Sequence, residues 1–553
     1  MRFPVFVFFA LCLLPAACMS GSARDYRPRS TEVLSQANFT NYEIGLEPWE
    51  FRIIAVSNHT EPLLDNSGDW WKDAVIYQVY VRSFYDSDGN GTGDLRGLTE
   101  KLDYITNLGV DGIWTMPIFD SLHDGSIGRA LGYEARNYYK IDPDYGDFDD
   151  WTNYAANAHS RGIKVIMDMV INHTSKDNPW FIASETNDPV YKDWYVWTNG
   201  VTMDELEKGG WKQPWGGGHA WDEWHPDTKH GGMFYATWGA ELNFFNPAVR
   251  QEGKRIAGFW LTNGADGFRL DAIRYLLEDG PGALQADSPS TLAYIREYMA
   301  GIKSAKTNAF TVGEIWSSDG DVAKYYQDGK GLDCGFSFRY QNEAAEAIAS
   351  EKATGINNYI HDRSRLTNIP KLFYAPFGDN HDMKRSMTKW RDNWDKAKLS
   401  AALLLTQPGT PFIYYGSEIG MLGQQTPMQW DAEKNAGFTT NAKPWTALAP
   451  YADKRNVSDQ LADPDSLLNL YRKLIAFRKA EPAMRRGDIR YVRSGNRAVF
   501  SYLRTGTNVS YLIVGNVSGS EVTADLDFTG TKVDPAQNHA MTLIPFTKAN
   551  VEE

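Results

Sequence analysis

A chain of 553 residues is long enough for more than one domain, and a hydrophobic content of 42% excludes wholesale disorder. A net charge of -14 argues against nucleic acid as a partner, because phosphates demand a basic face, and is compatible with a neutral polymer.

The N-terminus reads as an export signal leading to a secreted or periplasmic protein. Arg2 is the one early positive charge, residues 3–17 form an apolar run of about 15 residues, and small residues follow. That run is too short to span a bilayer comfortably, so no transmembrane span is expected. Two outcomes stand for its end. One is cleavage near Ala17 or Ala23. The other is a lipid anchor on Cys18, since Leu14-Pro15-Ala16-Ala17-Cys18 resembles a bacterial lipoprotein box with Pro15 in the place of the usual Leu. Residues 1–23 are therefore set aside as a leader. Residues 24–69 are polar and irregular, an N-terminal extension with no assigned role. Beyond Cys12 and Cys18 the one cysteine is Cys334, in an apolar run that predicts a buried thiol, so the fold must rely on its core rather than on disulfides.

From about residue 70, apolar strand-like runs alternate with helical patterns. The runs are 74–81, 110–119, 163–170, 267–273, 310–316, 332–338, 372–377 and 411–415. Among the helices, 247–263 places Ile256, Phe259 and Trp260 on one face behind Pro247, and 394–407 follows the seventh run. Eight alternations predict an α/β fold, a (β/α)8 TIM barrel over 70–173 and 244–464. The connection over 174–243 is too long for a plain loop and is rich in Gly and Trp, so it predicts an inserted domain after strand three that roofs one side of the pocket. After about residue 465 come a helix at 467–479 and five short runs, 489–492, 498–502, 510–514, 522–528 and 540–545. These predict a C-terminal antiparallel β-sandwich domain, 465–553.

Three carboxylates stand at the ends of barrel runs: Asp271 in Gly267-Phe268-Arg269-Leu270-Asp271, Glu314 in Val312-Gly313-Glu314-Ile315-Trp316, and Asp382 in Asn380-His381-Asp382. A barrel builds its site on the C-terminal ends of its strands, so the three share a pocket. One can attack, one can donate a proton and one can hold charge or a substrate hydroxyl, which is the equipment for cleaving a glycosidic bond. Each alone reads better as a salt-bridged strand end, and it is the set of three that points to chemistry. Arg269 lies two residues before Asp271 on the same strand face, where its fixed charge can keep that carboxylate ionised.

Asp86, Asp88, Asn90 and Asp94 place oxygen side chains at alternate positions, with Gly91 at the sharp turn. Together with the Thr92 carbonyl they can wrap a hard cation. Gly97 stands where a full EF-hand needs Glu, so the loop is not an EF-hand. The readings are Ca2+, Mg2+ or an ion-free acidic turn.

Taken together these motifs resemble glycoside hydrolase family 13, the α-amylase and α-glucosidase family. Asp168-Met169-Val170-Ile171-Asn172-His173 is similar to its first conserved segment, the Asp271 segment to the second, and the Glu314 and Asn380-His381-Asp382 segments to the third and fourth. The resemblance implies a retaining hydrolase of α-1,4-glucosidic bonds in α-glucans or maltooligosaccharides, with transglycosylation as a companion activity. It implies Asp271 as nucleophile, Glu314 as acid and base with a raised pKa, and Asp382 as the binder of sugar hydroxyls. It further implies His173 and His381 as hydrogen-bonding partners of the sugar, Tyr133 after Gly132 as its aromatic platform, Asp168 as a support of the pocket, and structural Ca2+ in the loop over 86–94. Gln425 to Asp431, Asn435 to Thr439 and Pro214-Trp215-Gly216-Gly217 resemble the subfamily intermediate between oligo-1,6-glucosidase and neopullulanase.

The sequence departs from the family around the substrate subsites. Arg274 and Tyr275 stand where many members have Lys and His, Ala240-Glu241-Leu242-Asn243 where relatives read Pro-Asp-Leu-Asn, and Leu131 and Glu134 flank Gly132-Tyr133 in place of His and Asp. An exo-acting α-glucosidase, or a sucrose- or isomaltose-type enzyme, therefore stays open beside the endo-acting reading. A catalytically silent ectodomain, known in the family with a membrane helix and lost carboxylates, fits poorly, because here the carboxylates are complete. A glycan-binding lipoprotein would not require Glu314.

Overall fold

The computed structural model describes residues 41–56, 60–122, 129–199, 201–212, 232–234, 239–528 and 541–544. The leader with Cys12 and Cys18, the segment 214–217, Trp221, Trp224, Trp238 and most of the loop 123–130 lie outside the described residues.

All eight strand-like runs form strands: Ile76–Val79, Gly112–Thr115, Lys164–Met169, Gly267–Leu270, Phe310–Gly313, Cys334–Phe336, Tyr374–Ala375 and Phe412–Tyr414. They join in one parallel eight-stranded sheet whose last strand returns to pair with the first. A further bridge, Phe377 to Phe412, joins the seventh strand's end to the eighth and all but closes the barrel. The strands are buried on both faces, which is why they read as continuous apolar runs without alternation.

The inward face changes character along the barrel axis. Ile76, Ile166, Phe310, Val312, Phe336, Ala375 and Phe412 cluster in the barrel interior. Two residues further along their strands stand Gln78, Asp168 and Glu314, after Ile76, Ile166 and Val312 respectively. Side chains at i and i+2 share a face, so the apolar plug at one end passes into polar groups at the C-terminal end without any change of backbone.

The outer helices follow their patterns. Pro247–Thr262 starts with Asn246 accepting from the Ala248 N–H and Pro247 in the first turn, and it buries Ile256, Ala257 and Trp260. Leu467–Ala480 packs against Trp394–Leu405 and Leu102–Leu108. It follows the helix Val457–Ala462 and lies in the outer helical layer around the barrel.

The insert leaves and re-enters through a short antiparallel pairing, His173–Thr174 with Ala240–Glu241. Its described part holds the helices Pro179–Glu185 and Met203–Lys208 and the strand pair Trp197–Asn199 with Gly232–Phe234. Trp180 and Trp194 lie 5.1 Å apart, Trp197 stacks on Phe181, and Trp180 also stacks on Tyr138, so these tryptophans continue the barrel's own core into the insert.

The terminal β-domain contains all five expected strands, Ile489–Tyr491, Val499–Arg504, Ser510–Asn516, Val522–Asp527 and Met541–Ile544. Two more come from the extension that the sequence left without a role. Phe51–Val56 lies between Ser510–Asn516 and Met541–Ile544, and Asn41–Leu46 pairs with Val522–Asp527. Ile44, Leu46, Ile54 and Val56 bury against Val499, Leu503, Leu512, Val514 and Leu526 between the two sheets. The alternation in 51–56 is masked because both faces are apolar and Arg52 is the sole charge. No helix among the described residues is long and apolar enough to cross a membrane.

Candidate active site

Seven of the eight pocket residues named from the sequence meet at the C-terminal end of the barrel, and one guanidinium organises four of them. Parallel register sets Arg269 beside Asp168 on the neighbouring strand. Arg269 Nη1 donates to Asp168 Oδ1 at 2.8 Å and to Asp271 Oδ1 at 2.5 Å, and Nη2 lies 2.8 Å from Glu314 Oε1. Its plane lies near the rings of Trp114 and Tyr133. All four charged groups are buried.

One cation against three buried carboxylates leaves the cluster short of positive charge. Burial pushes each carboxyl up, with Arg269 opposing: Asp168 and Asp271 to about 6 and Glu314 to about 8. Arg269 thus limits the rise at Asp271 without cancelling it. Glu314 is pushed up further because Asp271 and Asp382 repel its charge as well.

The turn after Asp271 is strained. Ala272 has φ of 48°, in the left-handed region that non-glycine residues avoid. That conformation turns the Ala272 N–H toward Glu314 Oε2 at 3.3 Å. The opposite oxygen, Oε1, accepts from the indole N–H of Trp316 at 3.0 Å.

A second chain of hydrogen bonds runs across the pocket. Gln78 Nε2 donates to His381 Nδ1 at 2.8 Å, which leaves the ring's proton on Nε2. His381 Nε2 lies 2.6 Å from the Tyr133 hydroxyl, which in turn donates to Asp168 Oδ2 at 3.0 Å. Trp114 donates to the same oxygen at 3.2 Å. The Tyr133 and His381 rings stack at 5.5 Å and 8°. Burial pushes the His381 imidazole down to about 4, so it is neutral. Gly132 before Tyr133 has φ of 87°, and a Cβ there would meet the Pro117 carbonyl at 3.0 Å, so only glycine turns the chain to present this ring. Asp382 keeps its side chain 39% exposed, 3.2 Å from His381 Nε2. It is the carboxylate of the set that faces the open pocket.

His173 stands apart. It follows strand three but pairs across the neck of the insert with Glu241. Burial pushes its imidazole down to about 4, against a weak opposing pull from the Tyr133 backbone. Sequence reasoning missed Gln78, Trp114 and Trp316 as members of the site. Gln78 carried a signal, a polar side chain at the inward parity of an apolar strand.

In the loop after strand one, Asp86, Asp88 and Asp94 bring carboxylate oxygens within 4.8 Å of one another. Asp86 accepts from the Gly89 and Gly91 N–H groups and from the Thr439 hydroxyl, and Asp94 caps the helix Leu95–Glu100 through the Gly97 N–H. The Asn90 side chain bonds Asp88 and accepts from the Thr92 N–H. Burial pushes the Asp94 carboxyl up, with Asp88 adding repulsion, which a cation would relieve. An oxygen-only donor set of this kind fits a hard divalent ion.

Residues 78–487 match the family described as "Alpha amylase, catalytic domain". Alpha-amylase 3 of Dictyoglomus thermophilum is 34% identical over 470 residues, covering 82% of this chain and 86% of that protein. The glucan 1,6-alpha-glucosidase of Streptococcus pneumoniae is 31% identical over 519 residues, covering 82% and 92%. Among solved structures, the trehalulose synthase MutB from Pseudomonas mesoacidophila MX-45 superposes with a TM-score of 0.72 at 29% identity, covering 82% of this chain and 91% of that one.

Proposed function

Because the chain belongs to the α-amylase family of glycoside hydrolases, we propose that it cleaves α-1,4-glucosidic bonds of starch-type glucans or maltooligosaccharides with retention of configuration. The observation that carries this reading is the sharing of Arg269 by Asp271 and Glu314. Two carboxyls bound to adjacent nitrogens of one guanidinium are close together, as double displacement needs, whereas inversion needs room for a water between them.

Asp271, the lower of the two in pKa, is ionised near neutrality and attacks the anomeric carbon. Glu314, the higher, is protonated and gives its proton to the departing glycosidic oxygen. The glycosyl ester on Asp271 is then hydrolysed by a water that Glu314 deprotonates. A sugar hydroxyl in place of that water gives transglycosylation. Asp382 accepts hydrogen bonds from sugar hydroxyls and favours the developing positive charge. His381, neutral, lends its Nε2 proton to the Tyr133 hydroxyl and can turn it to the same sugar, which stacks on Tyr133, while His173, buried at the neck of the insert, supports the Tyr133 backbone. Asp168 holds Arg269 and Tyr133 in place. The loop of Asp86, Asp88, Asn90, Thr92 and Asp94 holds Ca2+ as a structural ion, since it lies outside the carboxylate set. Residues 1–23 direct export, with cleavage of the leader or lipidation of Cys18 as its outcome.

A second reading, exo-action on short oligosaccharides, is favoured by the named activities of relatives such as the Streptococcus glucan 1,6-alpha-glucosidase and the oligo-1,6-glucosidase of Heyndrickxia coagulans. Product analysis on maltoheptaose, isomaltose and sucrose separates the two. Mixed short maltooligosaccharides released first as α-anomers support the endo-acting reading. Glucose alone, or action chiefly on isomaltose or sucrose, moves the enzyme to the second. A β-anomer as first product overturns the retaining mechanism.

A further inference from the structure

The acid/base carboxyl is held more firmly on one side than on the other. Glu314 Oε1 accepts from Trp316 Nε1 at 3.0 Å and stands 2.8 Å from Arg269 Nη2, while Oε2 has the Ala272 N–H at a long 3.3 Å. An indole N–H donates and does not accept, and a guanidinium does not give up its proton. A proton placed on Oε1 would have to displace one of these donors. Oε2 is therefore the oxygen that carries the transferable proton.

Trp316 is itself held. Arg274 Nη1 donates to the Trp316 carbonyl at 2.5 Å. The same guanidinium forks Asp287, with Nη2 to Oδ2 at 2.6 Å and Nε to Oδ1 at 3.0 Å, and the Tyr325 hydroxyl donates to Asp287 at 2.8 Å. The residue that replaces the family's common Lys thus braces the segment after strand five against the loop after strand four. A lysine ammonium cannot fork a carboxylate and reach a carbonyl in one fixed plane. The Trp316 ring, 39% exposed, forms the open wall next to a buried acid.

We propose that Trp316 is the positioning residue of the acid/base carboxyl: its indole N–H anchors Oε1 of Glu314, so that Oε2 bears the proton given to the leaving sugar, and Arg274 with Asp287 fixes the Trp316 backbone from which the indole projects. The step balances simply. The proton leaves Oε2 for the glycosidic oxygen as the C–O bond breaks and its electron pair goes to that oxygen. On deglycosylation a proton returns to Oε2 from water. The inference rests on the reading of Glu314 as acid and base.

The test compares kcat/KM, which reads the steps up to the glycosyl-enzyme, on a maltooligosaccharide and on α-glucosyl fluoride. A sugar leaving group needs the proton and fluoride needs it far less. Trp316→Phe keeps the ring and removes the donor. The expected result is a loss on the maltooligosaccharide at least about tenfold greater than on the fluoride. With the charged form of Glu314 deprived of a donor, the alkaline limb of kcat/KM should move up by about half a unit to one unit. Equal losses on both substrates with an unmoved limb overturn the proposal. Glu314→Gln, run in parallel, should show the same selectivity in stronger form. If it does not, the acid/base reading fails, and if it does while Trp316→Phe is unselective, the positioning role alone fails. Should Trp316→Phe not fold, Arg274→Lys carries the test with the same expected selectivity, and an unselective loss again overturns it.

Discussion

Arg269 Nη2 stands 2.8 Å from Glu314 Oε1 while the other terminal nitrogen of the same guanidinium serves Asp168 and Asp271. One buried cation thus answers for three buried carboxylates, and the pocket's chemistry and its weak point are the same arrangement.

Removing that cation should be costly. Arg269→Met leaves the carboxylates with no counter-charge, and breaking a buried ionic cluster from one side costs about 3–5 kcal/mol. Urea denaturation at neutral pH should show the loss. Its midpoint should recover in part as pH is lowered and the carboxyls protonate.

Activity should follow a bell in pH. The acid limb reflects ionisation of the carboxylates near 6, Asp271 among them, and the alkaline limb the loss of the Glu314 proton near 8. Both are macroscopic values of the cluster rather than of single residues. Glu314→Gln should lower kcat/KM on unactivated substrates by about 10²–10⁴-fold, the usual worth of a positioned acid, and remove the alkaline limb. Asp271→Asn should abolish turnover while the circular dichroism spectrum stays that of the folded protein. Full activity in either variant would sink the assignment.

Stability should run opposite to the usual carboxylate case. The folded pKa of Glu314, about 8, lies above its ordinary value, so the folded state holds a proton that the unfolded chain has released. The associated stability is present below the unfolded pKa and is lost as pH rises through about 8. Asp168 and Asp271 act in the same direction through about 6. The melting temperature should therefore fall between pH 5 and pH 8, and Glu314→Gln should flatten the upper part of that fall. A wild-type profile that rises across the window contradicts the burial argument.

If the loop over 86–94 holds Ca2+, a chelator should lower the melting temperature and added Ca2+ should restore it, with Mg2+ less effective. The positions of the pH limbs should stay where they are. Asp88→Asn should weaken the response, since Asp88 is the exposed member of the trio and has the smallest part in the loop's own hydrogen bonds. A melting temperature indifferent to chelation would leave the loop as an ion-free turn.

Deleting residues 1–56 should prevent a stable fold, because Phe51–Val56 is an interior strand of its sheet rather than an edge. Soluble yield and limited proteolysis would show this. A truncated chain that melts cooperatively at the parent temperature would mean that the two strands are dispensable.

How far the sequence carried the reading depended on the kind of signal. Barrel strands buried on both faces leave short apolar runs, and all eight were legible; carboxylates within two of those runs, Asp271 and Glu314, each one residue past its strand, marked the site. The strands at 41–46 and 51–56 were not legible, because their partners lie over 450 residues away and nothing local announces them. Gln78 and Trp114 sit inside runs that read as pure core, and only the parity of the strand separates them from it. The helix Leu467–Ala480 follows the change of pattern at 465, and its packing against Trp394–Leu405 was not legible in the sequence. Arg269's adjacency to Asp271 was visible in the sequence, whereas the desolvation that it opposes was not.

The placement of Phe51–Val56 between Ser510–Asn516 and Met541–Ile544 has a consequence for how the chain is made. The strand Phe51–Val56 must wait for partners made more than 450 residues later before its sheet can close. The barrel can assemble while synthesis proceeds, but the terminal sandwich is a clasp that shuts only once residues 510–544 have been made. Loop closure across nearly the whole chain is entropically late, so completion of that clasp should be the slow phase of folding. A ribosome-stalled chain ending before residue 510 should hold a formed barrel and leave the strands Asn41–Leu46 and Phe51–Val56 unpaired, a state in which a chaperone has most to bind.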